Sequence, residues 1–115
     1  MQVREILRVK GSALFTVSSS QTLSFAIDSM ADLDVGSLVV MDDGKMVGML
    51  TFREILLALR AHAKGPDDLT VGDVMVKNPV TAFPDMEVNQ LRGLVIEKHS
   101  RYLPVLDGDV LMGVI

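Results

Sequence analysis

The stretch SLVVMDDGKMVGMLTFRE, residues 37–54, and the stretch YLPVLDGDVLMGVI, residues 102–115, decide how this chain folds. In the first, Ser37 to Met41 and Met46 to Leu50 are β-rich runs separated by Asp42-Asp43-Gly44-Lys45, a turn signal that folds them into a hairpin. In the second, Tyr102 to Leu106 and Val110 to Ile115 pair in the same way around Asp107-Gly108-Asp109. The runs are apolar nearly throughout, as strands covered on both faces are. Adding 65 to a residue number superposes the two: Leu38 on Leu103, Val40 on Val105, Asp42 on Asp107, Gly48 on Gly113 and Leu50 on Ile115. The register extends upstream without a gap to Thr16 on Thr81 and Leu23 on Val88. Further upstream the shift becomes 68, carrying Val3 to Val71, Ile6 to Val74 and Leu7 to Met75, as if the loop around Gly11, Ser12 and Ala13 held three extra residues. The chain is therefore an internal repeat, the pattern to settle before any single element.

Each copy reads as one supersecondary unit. Leu14 to Val17 is predicted as a short strand. Leu23, Ala26, Ile27 and Met30 follow at helical spacing, with Ser20 or Thr22 placed to cap the helix start. After the first hairpin a second helix opens at Thr51, predicted to bury Ile55, Leu56 and Leu59, and Ala63-Lys64-Gly65-Pro66 ends it. The second copy repeats the order, with a strand near Val80 to Ala82 and a helix after Pro84-Asp85 whose stripe is Val88, Leu91 and Val95. By this symmetry the second copy lacks its closing helix, through truncation or because another chain covers its last strand. Gly93, within the predicted helix, points to close approach of another helix, a dimer contact being one such approach.

Composition bounds the function. The 115 residues are 49% hydrophobic and 23% charged, a balance able to bury a core, so the chain reads as folded rather than disordered. There is no cysteine, hence no disulfide framework or thiolate metal site, which fits a reducing compartment. Fifteen acidic against eleven basic residues leave a formal net charge of -4, the opposite of a nonspecific nucleic-acid binder. No apolar run approaches the ~20 residues of a membrane span, and Met1 to Lys10 lacks the apolar stretch of a signal peptide. The expectation is a soluble cytoplasmic protein without nucleic-acid polymer or membrane as partner.

Catalysis has little to work with. His62 and His99 stand far apart without metal-ligand spacing, and no phosphate-cradling or dinucleotide glycine loop occurs. Asp42, Asp43, Asp107 and Asp109 belong to hairpin turns, where local hydrogen bonding explains them. The chain is read as a non-enzyme, with no catalytic residue and no metal site.

Val71-Gly72-Asp73-Val74-Met75, Val80-Thr81, Pro84-Asp85, Arg101 to Asp107 and Met112-Gly113-Val114-Ile115, in that order, resemble a cystathionine-β-synthase (CBS) motif. Val3 to Leu7, Ser37 to Asp42, Val47 to Leu50 and Thr51-Phe52-Arg53-Glu54 resemble it a second time. The resemblance implies an α/β (α+β) fold, a Bateman module in which two β-α-β-β-α repeats pack through their sheets with pseudo-twofold symmetry. Residues 1–62 are motif 1, 63–69 a linker and 70–115 motif 2. It further implies a regulatory role in signal transduction and homodimer formation. The ligand it implies is an adenine nucleotide such as AMP, ADP or ATP, with S-adenosylmethionine or NAD(H) in some members, held in the cleft between repeats. No cofactor is obligatory, and a regulated protein partner is a further expectation.

The resemblance also names candidate ligand residues, each with a plainer reading beside it. Thr51 matches a phosphate contact and Glu54 stands where the family has an Asp that grips the ribose hydroxyls. Yet Thr-x-x-Glu is also the capping-box signature, and Arg53 between them is, like Arg101 below, either a candidate ligand contact or an ordinary surface charge. Thr81 matches a cleft-framing hydroxyl, or is simply a β-branched strand residue. Arg101 and His99 stand where basic side chains reach phosphate, or are solvated loop charges. Val80, Val105 and residues around Met75 line an adenine slot, or are core. The contrasting class of function is a ligand-free dimerisation or interaction module in which Thr51 and Glu54 only cap a helix.

Overall fold

The computed structural model describes residues 1–11 and 13–115, so Ser12 in the predicted longer loop lies outside the described residues. The elements run α1 (Val3–Lys10), β1 (Thr16–Val17), α2 (Leu23–Leu33), β2 (Ser37–Asp42), β3 (Lys45–Thr51), α3 (Phe52–Ala61), α4 (Val71–Val74), β4 (Val76–Lys77), α5 (Val88–Lys98), β5 (Pro104–Asp107) and β6 (Val110–Val114). They form two compact units, Phe15–Asn78 and Met1–Leu14 with Pro79–Ile115.

In the unit Phe15–Asn78 the sheet order is β1-β2-β3-β4, with β1 parallel to β2 and the other neighbours antiparallel. The β2–β3 turn is Asp43-Gly44, both at positive φ (51° and 76°), the signature of a type I′ turn whose twist matches the strands it joins. Thr22 caps α2 by accepting from the Phe25 N–H at 3.0 Å, as its position predicts. Leu23, Leu38, Val40, Leu50 and Val71 are fully buried in the core, each contributing on the order of 2 kcal/mol of burial. Gly48 is required in β3 because a Cβ there would stand 2.6 Å from Met75 Sδ and 2.7 Å from the Val76 carbonyl oxygen, where β4 crosses.

Helix α3 corrects one expectation. It buries Ile55 and Ala58, while Leu56 and Leu59 are 67% and 42% exposed. Two apolar stripes run along this helix. The core takes the one containing the small Ala58, which admits close approach, and the bulkier Phe52-Leu56-Leu59 stripe faces outward.

In the other unit β5 and β6 form a two-stranded hairpin, and Val3, Met86, Leu103 and Val105 pack with Leu7, Ala82 and Leu91 in its core. The strand expected at Val80 to Ala82 is reduced to a parallel bridge between Ala82 and Val105, since Pro79 and Pro84 beside it carry no N–H for a ladder. Ala82 still donates to the Pro104 carbonyl (2.9 Å) and accepts from the Leu106 N–H (2.9 Å). Helix α5 buries Leu91 but leaves Val95 exposed, Leu94 taking its place against the core. Among the described residues nothing lies within 4 Å of a Cβ at Gly93.

The repeat extends to details the sequence does not announce. Val40 faces Gly48 and Val105 faces Gly113, and in both hairpins the register slips at the next residue, so Val47 and Met112 are the extra residues of equivalent β-bulges. The opening helices also dock alike. Val71 donates to the Gln21 carbonyl (2.8 Å), Gly72 to Ser19 (2.9 Å), and Leu23 to Leu69 (2.8 Å); the same bonds recur as Val3 to Met86 (2.9 Å), Arg4 to Pro84 (3.0 Å) and Val88 to Met1 (2.9 Å). Each opening helix thus completes the unit that holds the other repeat's hairpin.

Candidate functional site

The sequence candidates fall within both units. Thr51, Arg53 and Glu54 come together where β3 hands over to α3. Strand β3 ends because Thr51 accepts a hydrogen bond from the Arg53 backbone N–H (3.2 Å) and turns the chain into the helix. Glu54 reaches back, and its Oε1 accepts both the Thr51 backbone N–H (2.9 Å) and the Thr51 hydroxyl (2.7 Å). The capping box is therefore complete. Its chemistry is specific: a carboxylate oxygen of the chain itself already occupies the position at the helix start that attracts an anion. Among the described residues Glu54 Oε2 accepts no hydrogen bond and the exposed Arg53 guanidinium has no carboxylate partner. The start of α3 thus carries an unbonded carboxylate oxygen on Glu54 and, on the preceding residue, an unpaired guanidinium.

Val80, Thr81, Val105, His99 and Arg101 belong to the other unit. Val105 is fully buried, Val80 packs against the same core, and Thr81 is half-buried beside the Ala82–Val105 bridge. His99 is the C-cap of α5 in the left-handed conformation (φ 52°), and Arg101 follows in an exposed bend. Neither side chain has a hydrogen-bonding partner or an ion pair among the described residues. The structure thus groups Val80, Thr81 and Val105, and leaves His99 and Arg101 free at the loop before β5.

Two further polar arrangements lie outside the candidate ligand residues. Asp42 is no mere local turn residue, for its Oδ1 accepts the Ser19 backbone N–H (3.0 Å) and its Oδ2 the Ser19 hydroxyl, across 23 residues of chain. The Ser19 hydroxyl, then its N–H, hold the Asp42 carboxyl below its ordinary value of 3.8. Thr70 and Asp73 form a second capping box at α4: Thr70 accepts from the Asp73 N–H (3.2 Å) and Asp73 from the Thr70 N–H (3.1 Å). That bond from the Thr70 backbone is the main cause that lowers the Asp73 carboxyl. The Thr-x-x-Asp spacing was visible in the sequence; the Ser19–Asp42 pairing had no local signal.

Comparison with known proteins agrees with this architecture. The family model for the CBS domain matches residues 3–61 and again residues 71–115. The CBS domain-containing protein YhcV of Bacillus subtilis is 37% identical over 101 residues, 87% of this chain and 71% of that protein. A putative signal-transduction protein with CBS domains from Burkholderia ambifaria superposes with a TM-score of 0.93 at 27% identity, covering 100% of this chain and 87% of that one. A hexameric CBS-CP12 protein from bloom-forming cyanobacteria superposes at 0.87 with 25% identity, covering 100% of this chain and 66% of that one. CBS pairs are typically regulatory and ligand-binding rather than catalytic. No helix among the described residues is long and apolar enough to cross a membrane. With two matches of one family model at the positions of the internal repeat, the chain belongs to the CBS-domain family as a tandem pair.

Proposed function

We propose that this CBS pair is a regulatory module that binds an adenine nucleotide and transmits its presence through self-association or a protein partner. The observation that carries the reading is the divided chemistry of Glu54: Oε1 is spent on the helix cap while Oε2 accepts no bond among the described residues, and the preceding residue is the exposed Arg53. A ribose diol donates to such an oxygen, and the guanidinium suits phosphate. The same geometry argues that phosphate does not sit on the Thr51 hydroxyl, whose proton is already given to Glu54. Regulation requires that the nucleotide prefer one arrangement of the protein over another.

The test is a thermal-shift panel with AMP, ADP, ATP, S-adenosylmethionine and NADH. A ligand at 100 times its Kd adds about 2.7 kcal/mol, on the order of 10 °C for a chain of this size. Glu54→Gln keeps an acceptor for the capping box but removes the charge, so it should retain the fold and lose the shift. The second reading, a ligand-free interaction module, is favoured by the completed capping box, and absence of any shift across the panel selects it. Both readings use the outward stripe Phe52, Leu56 and Leu59, which is the kind of apolar surface that marks association.

A further inference from the structure

We propose that the unit Met1–Leu14 with Pro79–Ile115 carries a second, separate binding site, for an apolar α-amino acid. The site is an open depression of about 260 Å³ lined by Arg4, Leu7, Arg8, Pro84, Asp107 and Met112. All six belong to that one unit.

The internal repeat shows what is unusual here. Under the 65 and 68 offsets, Asp107 corresponds to Asp42, Pro84 to Ser19 and Arg4 to Gly72. In the unit Phe15–Asn78 these positions satisfy one another. Ser19 donates its N–H and hydroxyl to the two oxygens of Asp42, and a Cβ at Gly72 would stand 3.2 Å from the Ser19 carbonyl oxygen. Pro84 has neither hydroxyl nor N–H, so Asp107 accepts no hydrogen bond among the described residues. Arg4 turns to Asp85 and forms an ion pair. Arg8, one turn later on the same face of α1, has no ion-pair partner among the described residues.

Arg8 and Asp107 therefore border one depression with opposite charges that do not bond each other. A ligand complementary to both carries a carboxylate for the guanidinium and an ammonium for the Asp107 carboxylate. Leu7 offers an apolar wall, and so does Met112, the bulge residue, which is 38% exposed. At about 30 Å³ per water the depression holds roughly nine waters, the size of leucine or methionine, each with about nine non-hydrogen atoms.

The experiment is titration of the intact protein with L-leucine and L-methionine, followed by amide NMR shifts and calorimetry. N-acetyl-leucine, leucinamide and inorganic phosphate serve as comparisons. The proposal expects saturable shifts at Leu7, Arg8, Asp107 and Met112, with N-acetyl-leucine and leucinamide each at least about tenfold weaker than leucine. Arg8→Gln and Asp107→Asn, both at exposed positions, should each weaken leucine binding about tenfold with Tm unchanged. Phosphate or N-acetyl-leucine binding as tightly as leucine would show a plain anion site and overturn the proposal. So would undiminished leucine binding by either variant, or no saturable shift with either amino acid.

Discussion

At Thr51, helix stability and ligand binding can be separated. Thr51→Ala removes the acceptor for the Arg53 N–H and the hydroxyl donated to Glu54, so it should cost about 1 kcal/mol, or about 4 °C in Tm. Glu54→Gln should leave Tm within about 1 °C of the parent while abolishing a nucleotide-induced shift. Differential scanning calorimetry with and without nucleotide reads both, and a Glu54→Gln protein that still responds to nucleotide removes Glu54 from the site. Asp42 makes a pH prediction. Its carboxyl is lowered in the folded chain by Ser19, so the folded state binds fewer protons than the unfolded one. The stabilisation is present above the ordinary value of 3.8 and is lost as pH falls below it through the folded value. Ser19→Ala should flatten that part of the acid-unfolding curve, and an unchanged curve would mean the Ser19 bonds do not govern it. No pattern of spacing foretold this pair, because its partners lie on different elements and a serine in a polar run looks like solvent-facing loop.

At the scale of elements, the hairpins were legible because turn chemistry is local: Asp43-Gly44 in the first and Gly108 in the second supply positive φ just where the strands reverse. The face of α3 was not, since periodicity shows that a helix has an apolar side but does not choose between two candidate stripes when Ala58 competes with Leu59. The two interior glycines make opposite predictions. Gly48→Ala forces a methyl against the Val76 carbonyl oxygen, a backbone atom that moves only if β4 leaves β3, and should destabilise by about 1–3 kcal/mol. Gly93→Ala meets open space in a helix interior and should stabilise by about 1 kcal/mol. Chemical denaturation of both variants checks the pair. A Gly93→Ala protein that is instead impaired in self-association identifies Gly93 as a contact between copies.

For the whole molecule, the offsets of 65 and 68 made the repeat visible, and with it the residues that correspond. They did not show that α1 docks beside Met86 and α4 beside Gln21, because exchange of opening helices leaves the hydrophobic pattern of each segment unchanged. Burial also explains why the candidate ligand residues were only half legible: Val105 satisfies the core whether or not a ligand exists, whereas Glu54 has an oxygen that the fold leaves unused. The outward stripe of α3 bears on how such a module acts. Phe52, Leu56 and Leu59 lie at i, i+4 and i+7, an unbroken apolar line with Arg53 and Arg60 along one flank. Left in water, that line carries a hydration cost that association of two copies relieves. Leu56, the most exposed of the three, is the position where a charge should act on association and hardly at all on folding. Leu56→Glu should lower the mass measured by light scattering at micromolar concentration to that of one chain, with Tm unchanged under conditions where the parent is itself dissociated. Equal masses for parent and variant would show that the stripe is not a contact between copies, and a folded monomeric variant that still binds nucleotide would show that ligand recognition and assembly are separable functions of the pair.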